Sequence, residues 1–314
     1  LADLDPGTYP RIRLRARYTT KLGNMGVLLR VYSTSASTVD SNPLWVEVDT
    51  GSSHFCARRF DGSVWCQGDN ALGQLGDGTN TRRDTLAPVS GGLSFKSLAG
   101  HDQDHNCGQV QDGRLFCWGN NWIGQCGMGS YSGWGGAGQL VPVAVLTDIT
   151  DWTQMDIQTF GTSAVRADGS IYQWGNWGSA CYWGWGCPDT VPTQRLGGYD
   201  WKNVTGWNGG FFGVKTNGTF FWWGGRYTSG DIWQFGTDSD WLDGGYDSYG
   251  GNHSCYRKTD HSLWCWGNNS AGMIGNGKYE NVEYGTPVRV GTSNDWLAVE
   301  LGPTAVCGIK NGGE

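Results

Sequence analysis

From residue 45 to the end of the chain, short apolar runs alternate with Gly-, Asp- and Asn-rich turns. No ten-residue apolar stretch has helical spacing, so short strands are the predicted elements. The runs recur in one phrase. A strand led by an aromatic residue opens each unit, at residues 45–48, 95–98, 152–155, 201–204 and 296–299, led by Trp45, Phe95, Trp152, Trp201 and Trp296. Two further strands flank a three-residue turn, at Phe60-Asp61-Gly62, Gln111-Asp112-Gly113, Ala167-Asp168-Gly169 and Thr216-Asn217-Gly218. Near 240–250 a clean opener is missing, with Trp241-Leu242 as a worn version, and His261 stands where glycine closes the other turns. The period is roughly 50 residues, the size of a propeller blade.

Three units carry cysteines ten residues apart: Cys56 and Cys66, Cys107 and Cys117, Cys255 and Cys265. Each pair brackets its turn symmetrically, so a three-residue hairpin loop sets the two cysteines opposite one another. Glycine in the left-handed conformation closes such a loop cheaply. Directly opposed residues have Cβ atoms roughly 4.5–5.5 Å apart, near the reach of a disulfide. Zinc sites prefer two to four residues between cysteines, a spacing that none of these pairs has. The pairs are therefore read as disulfides, with Cys181 and Cys187 as a fourth, and the compartment as oxidising. In the two degenerate units Ser163 and Gln173, then Phe212 and Trp222, take the cysteine positions.

His54-Phe55-Cys56-Ala57, Asp61 through Cys66, and the run Asn70-Ala71-Leu72-Gly73-Gln74-Leu75-Gly76-Asp77-Gly78-Thr79 together resemble a repeat of the RCC1 (regulator of chromosome condensation) family. Asn106-Cys107 through Gly127 and Ser254-Cys255 through Gly275 match again. The resemblance covers about residues 45–314, strongly in three units and weakly in the two between. It implies an all-β fold, an RCC1-like β-propeller of about seven blades, with five complete blades and a partial one in this chain. The paired cysteines resemble the secreted, disulfide-bearing branch rather than nuclear members. Cys307 opens a further hairpin whose partner, by the ten-residue rule, would fall at residue 317. The open strand edge that results is expected to pair with other chain material, the N-terminal hairpin being one candidate.

Composition supports the strand reading. Gly occurs 53 times and Trp 19 times in 314 residues, and each glycine weakens a helix by roughly 1 kcal/mol. No apolar run approaches the ~20 residues of a membrane helix. No secretion leader is recognisable, and the opening Leu1-Ala2-Asp3 reads as the start of a processed or partial chain. A net charge of −7 and a pI near 5.2 disfavour nucleic acid as a partner.

Residues 1–44 do not fit the repeat. Arg11 to Tyr18 alternates strictly between Arg and apolar positions, the pattern of a strand, and residues 26–32 read as its antiparallel mate. Residues 33–43 read as a linker. The hairpin resembles the end of a preceding β-sandwich, so the division is 1–44 and 45–314. Arg11, Arg13, Arg15 and Arg17 give a basic face, either a solvated edge strand or a contact for an acidic surface in an assembly.

Candidate chemistry is sparse. Asp102, Asp104 and His105 form a His-carboxylate cluster, read as a solvated loop in preference to a metal site. Trp65, Trp118, Trp174, Trp223 and Trp266 recur on one blade strand and are read as core. Tyr182, Trp183 and Trp185, between Cys181 and Cys187, and Trp134 in a second aromatic insertion are candidates for stacking on a ligand, sugar rings included, a local packing cluster being the favoured alternative. Asn203, Asn217, Asn252 and Asn268 match the glycosylation pattern. No nucleophile, zinc-protease or phosphate-loop motif is present, and no cofactor is implied. The sequence therefore predicts an extracellular, non-catalytic propeller that presents loops to a protein or glycan. The alternative is a structural subunit of an extracellular filament or surface assembly.

Overall fold

The computed structural model describes residues 11–17, 26–32, 45–51, 53–99, 104–158, 161–175, 189–196, 200–207, 210–224, 232–247, 253–270, 272–278, 283–302 and 305–311. These residues are all-β, and no helix among them is long and apolar enough to cross a membrane. β1 (Arg11–Arg17) and β2 (Gly26–Tyr32) form an antiparallel two-stranded sheet in which Arg13 opposes Arg30.

Five four-stranded blades follow. The first is β3 (Trp45–Thr50), β4 (His54–Arg59), β5 (Val64–Gly68) and β6 (Arg83–Pro88). The second is β7 (Phe95–Ala99), β8 (His105–Val110), β9 (Leu115–Gly119) and β10 (Gln139–Ala144). The third is β11 (Trp152–Gln158), β12 (Gly161–Arg166), β13 (Ile171–Gly175) and β14 (Asp189–Leu196). The fourth is β15 (Trp201–Trp207), β16 (Gly210–Lys215), β17 (Phe220–Gly224) and β18 (Ile232–Gln234). The fifth is β19 (Trp241–Asp247), β20 (His253–Lys258), β21 (Leu263–Asn268) and β22 (Glu283–Arg289). A final pair, β23 (Trp296–Gly302) and β24 (Ala305–Lys310), makes a half-blade. Every sheet is a meander in chain order. The first strands neighbour one another from blade to blade, β3 by β7 through to β19 by β23, which places them innermost.

The turn between the second and third strands explains the register. Asp61 Oδ1 accepts from the Ser63 amide (2.9 Å) and hydroxyl (2.7 Å). Asp168 with Ser170, Asn217 with Thr219, and Asp260 with Ser262 repeat both bonds. These side-chain bonds hold the chain in a turn, and they pull the Asp61, Asp168 and Asp260 carboxyls below their ordinary value. Gly62 and Gly113 close their loops at φ +83° and +90°, while His261 takes the same place at φ +61°. The expected cysteine pairs are disulfides, with Cα atoms 4.1, 4.0 and 4.1 Å apart. Ser163 opposes Gln173 and Phe212 opposes Trp222 in the same register.

Trp241 is a full opener rather than a worn one. It starts β19, is 2% exposed, and is followed by the same register shift seen after Trp45, Phe95, Trp152, Trp201 and Trp296. Such a bulge adds one residue and bends the strand. The hairpin β1–β2 is bonded only to itself, so this expected partner of the β24 edge is not in place among the described residues.

Candidate functional site

The last residue of the second strand is basic in four of the five complete blades, and in three of them it lies over the opening aromatic and over the second residue of the third strand. Arg59 sits 4.7 Å from the Trp45 ring and 4.2 Å from the Trp65 ring. Lys215 lies 5.1 Å from Trp201 and 5.2 Å from Phe221, and Lys258 lies 4.8 Å from Trp241 and 4.9 Å from Trp264. Burial pulls the Lys258 ammonium down, but its bonds to Asp238 (2.7 Å) and Asp240 (3.0 Å) leave it above its ordinary value. Trp65 therefore belongs to a cation–π sandwich at the blade end and not to the core. Trp118, Trp174, Trp223 and Trp266, two residues further on in register, are the buried ones.

The seams between blades are polar in the first two pairs. Trp118 Nε1 and Asn106 Nδ2 both donate to Gln74 O, at 2.9 and 2.8 Å. Trp174 Nε1 and Thr162 Oγ1 both donate to Gln125 O, at 2.9 Å each. Asn106 Oδ1 lies 3.1 Å from His54 Nε2, and Thr162 Oγ1 lies 3.1 Å from His105 Nε2. Because the Thr162 hydroxyl donates to Gln125, it accepts from the His105 ring. His105 is thus the buried first residue of β8, 1% exposed, and not part of a solvated acidic loop. Burial pushes its pKa down to about 3, and burial likewise lowers that of His54. A neutral ring is what such a seam requires, since a charged one would lose its hydration. Asp102 lies outside the described residues, and no cluster of three metal-ligating side chains occurs among those described.

The loops between third and fourth strands carry an asparagine hub. Asn70 Oδ1, Asn121 Oδ1 and Asn269 Oδ1 accept from the amides of Leu75, Cys126 and Ile274 at 2.9, 3.0 and 3.1 Å. Their Nδ2 groups donate across the loop to carbonyls of Thr79, Ser130 and Lys278. Sequence reasoning missed these hubs, although Trp118-Gly119-Asn120-Asn121 and Trp266-Gly267-Asn268-Asn269 already marked the position.

In the second blade this scaffold supports an insertion. The Ser132 and Gly133 amides donate to the carbonyls of Asn121 and Trp122 (3.0 and 3.1 Å). A turn is closed by Gly136 N to Gly133 O (3.0 Å), with Trp134 and Gly135 at its corners and Gly135 at φ +74°. Trp122 Nε1 donates to Gly136 O (2.7 Å), and the Trp122 and Trp134 rings are 5.4 Å apart at 48°. The loop thereby holds Trp134 60% exposed and Tyr131 52% exposed. Tyr182, Trp183, Trp185, Cys181 and Cys187 lie outside the described residues.

Of the four glycosylation candidates, Asn217 is exposed at a hairpin tip. Asn203 is engaged at both ends, donating to Leu242 O (3.1 Å) and accepting from the Val214 amide (3.1 Å). That removes it as an accessible acceptor. Asn268 accepts from the Ser270 amide as Asn120 does from Trp122, and Asn252 is outside the described residues.

This architecture of repeated meander blades with hub-supported loops defines a β-propeller of the RCC1 type. The family described as the regulator of chromosome condensation (RCC1) repeat matches residues 45–74 and 248–272. The ultraviolet-B receptor UVR8 of Arabidopsis thaliana is 27% identical over 301 residues, which is 90% of this chain and 66% of that protein. The chain therefore spans about two thirds of that relative's length. Human WBSCR16 superposes with a TM-score of 0.70 at 18% identity, covering 93% of this chain and 78% of that one. Yeast RCC1 (Prp20), solved bound to Kap60, gives a TM-score of 0.58 at 14% identity over 85% of this chain and 81% of that one. In its repeats and in its fold the chain is similar to RCC1-like β-propeller proteins.

Proposed function

We propose that this chain is an extracellular, non-catalytic binding propeller whose inter-strand loops engage a protein or glycan partner. The three hairpin disulfides carry this reading. They are buried, with cysteines at 0–1% exposure, and hairpin disulfides form and persist in oxidising compartments. The hub-supported loop that displays Trp134 and Tyr131 is where a rigid scaffold presents variable chemistry. Binding also accords with a propeller relative solved in complex with another protein. The test is secretion of the chain followed by peptide mapping without reduction, then cross-linking to partners in extracellular fluid. Intact disulfides and a cross-link abolished by replacing residues 130–136 with the first blade's loop are expected. Free thiols in the secreted chain would overturn the extracellular assignment.

A second reading, assembly into a filament, rests on the alternating Arg11, Arg13, Arg15 and Arg17 of β1, set against the net negative charge of the chain. Replacing Arg11, Arg13, Arg15 and Arg17 with serine should then weaken self-association measured by sedimentation. The unmodified contact should weaken between 0.1 and 1 M salt, where the Debye length falls from roughly 10 to 3 Å. A monomer at both salt levels eliminates this reading. Asn217 is the expected glycan site if the source cell glycosylates.

A further inference from the structure

The insertion of the second blade has a feature that the aromatic content alone does not reveal. From Leu115 to Thr147 there is no Asp, Glu, Lys or Arg, although such residues make up 16% of the chain. The loop itself therefore offers Trp134, Tyr131, serine hydroxyls and glycine backbone, with no charged side chain of its own. A Cβ added at Gly133 or Gly135 would meet no heavy atom within 4 Å, so the backbone on either side of Trp134 is uncrowded. The ring is held by its contact with Trp122, by the closing turn, and by the Trp122 bond to Gly136.

We propose that this platform binds a neutral oligosaccharide, with a pyranose ring stacked on Trp134 and a neighbouring residue of the saccharide against Tyr131. The inference rests on the loop-presenting reading above and names the ligand class for that loop. The carbon-bound hydrogens of a pyranose face form a flat apolar patch that matches an exposed indole. Its hydroxyls are served by Ser130, Ser132 and backbone carbonyls, short groups that add little ordering cost. Tyr and Trp supply rigid amphipathic contact area while Ser and Gly supply adaptable hydrogen bonding. Protein partners are steered and registered largely by charge, and acidic polysaccharides need cations. The loop's own side chains offer neither.

The experiment is titration of the oxidised chain with neutral hexasaccharides (cellohexaose, xylohexaose, mannohexaose and chitohexaose), followed by tryptophan fluorescence and saturation-transfer NMR at 0.1 and 1 M salt. Saturable binding of at least one, unchanged by salt, is expected. Trp134→Ala should weaken it about tenfold or more, as loss of an aromatic anchor does, while Trp134→Phe retains most of it. Tyr131→Ala should have a smaller effect. Phe60→Ala, at an exposed aromatic 78% accessible in the first blade's turn, should have none. Because Trp134 is 60% exposed, these variants should fold, and the intact disulfide map verifies it. The proposal is overturned if no neutral saccharide binds, if binding survives Trp134→Ala, or if heparin binds in a salt-sensitive manner instead. It is also overturned if Trp134→Ala changes only the sedimentation coefficient, which would make a second copy the occupant. If saccharides fail but the 130–136 replacement still abolishes a protein cross-link, only this inference falls. If both fail, the binding reading falls too.

Discussion

Blades one, two and five differ from blades three and four at three linked positions. The first group carries the hairpin disulfide, and the second has Ser163 with Gln173 or Phe212 with Trp222 in the same register. Two residues before the first cysteine stand His54, His105 and His253, all buried, where the second group has Gly161 and Gly210. Two residues after it stand Arg58, Gln109 and Arg257, which donate to the carbonyls of Phe95, Trp152 and Trp296 at the opener of the next blade. Val165 and Val214 occupy that place in the second group. There the bond to the next blade starts from the first strand. Gln154 donates to Val204 O and accepts from its amide (3.0 Å each), and Asn203 reaches Leu242 O. The lesson is that one backbone accepts two solutions. One is a covalent staple with polar second-strand clamps, and the other is noncovalent filling with amide clamps on the innermost strand.

The comparison breaks first at the aromatic core. Phe220 is fully buried among Phe212, Phe235, Trp241, Tyr256 and Trp266. Phe220→Ala should cost about 3–5 kcal/mol. In native-state hydrogen exchange, amides of the fourth blade should lose protection before those of the stapled first blade. Equal loss across all blades would show that the unstapled group does not rely on its aromatics.

Next in size is the staple. Replacing Cys107 and Cys117 together by alanine should cost roughly 2–3 kcal/mol, the contribution of a short disulfide loop. Urea denaturation measures it. Thiol reductant should lower the midpoint of the parent chain but not that of a variant lacking all three staples.

Acid should act through the histidines. His105 and His54 have pKa values depressed in the fold relative to an ordinary 6.5. Above 6.5 both states are neutral and nothing is lost. As pH falls below 6.5 the unfolded chain takes up protons that the fold excludes, so stability declines by up to about 1.4 kcal/mol per pH unit per histidine, for His105 down to about pH 3. Thermal denaturation from pH 7 to 4 should show this slope. His105→Gln should flatten it, at some cost at neutral pH, and an unchanged slope would reject the assignment.

The smallest effect is at the turn. His261 holds φ +61° where the other four blades have glycine. His261→Gly should therefore stabilise the fifth blade by up to ~1 kcal/mol, offset by loss of its contact with Trp296 O (3.3 Å). A destabilised variant would mean that this contact outweighs the backbone strain.

Much of the blade was legible because its information is local. A three-residue turn fixes the register of two strands, so the Cys56–Cys66 spacing predicted opposed residues, and the Asp-Gly and Asn-Gly turns exposed the degenerate blades. Trp241 was harder to read, because the glycines at 244 and 245 remove the alternation after it. His105 was drawn into a cluster with Asp102 and Asp104, yet it shares the offset from cysteine that His54 and His253 display. The inter-blade clamps were not legible. Their partners are some 40–50 residues distant, and a Gln or Asn on an inner strand reads as any polar residue. At the candidate site Trp134 was singled out in the sequence, whereas its exposure and the Trp122 support became visible only with the loop in place.

The clamps have a consequence for assembly order. Tandem repeats of similar sequence risk pairing with the wrong copy during folding. Here adjacent boundaries differ from one another: Glu47 with the Leu98 amide and Arg58 with Phe95 O, then Gln109 with Trp152 O, Gln154 with Val204, Asn203 with Leu242 O, and Arg257 with Trp296 O, which repeats the arginine bond of the first boundary. Neighbouring boundaries thus work as address labels, and a blade shifted by one place would leave buried donors and acceptors mismatched. Sequence divergence among the repeats, which looks like decay when the units are aligned, then serves to keep the blades in their places.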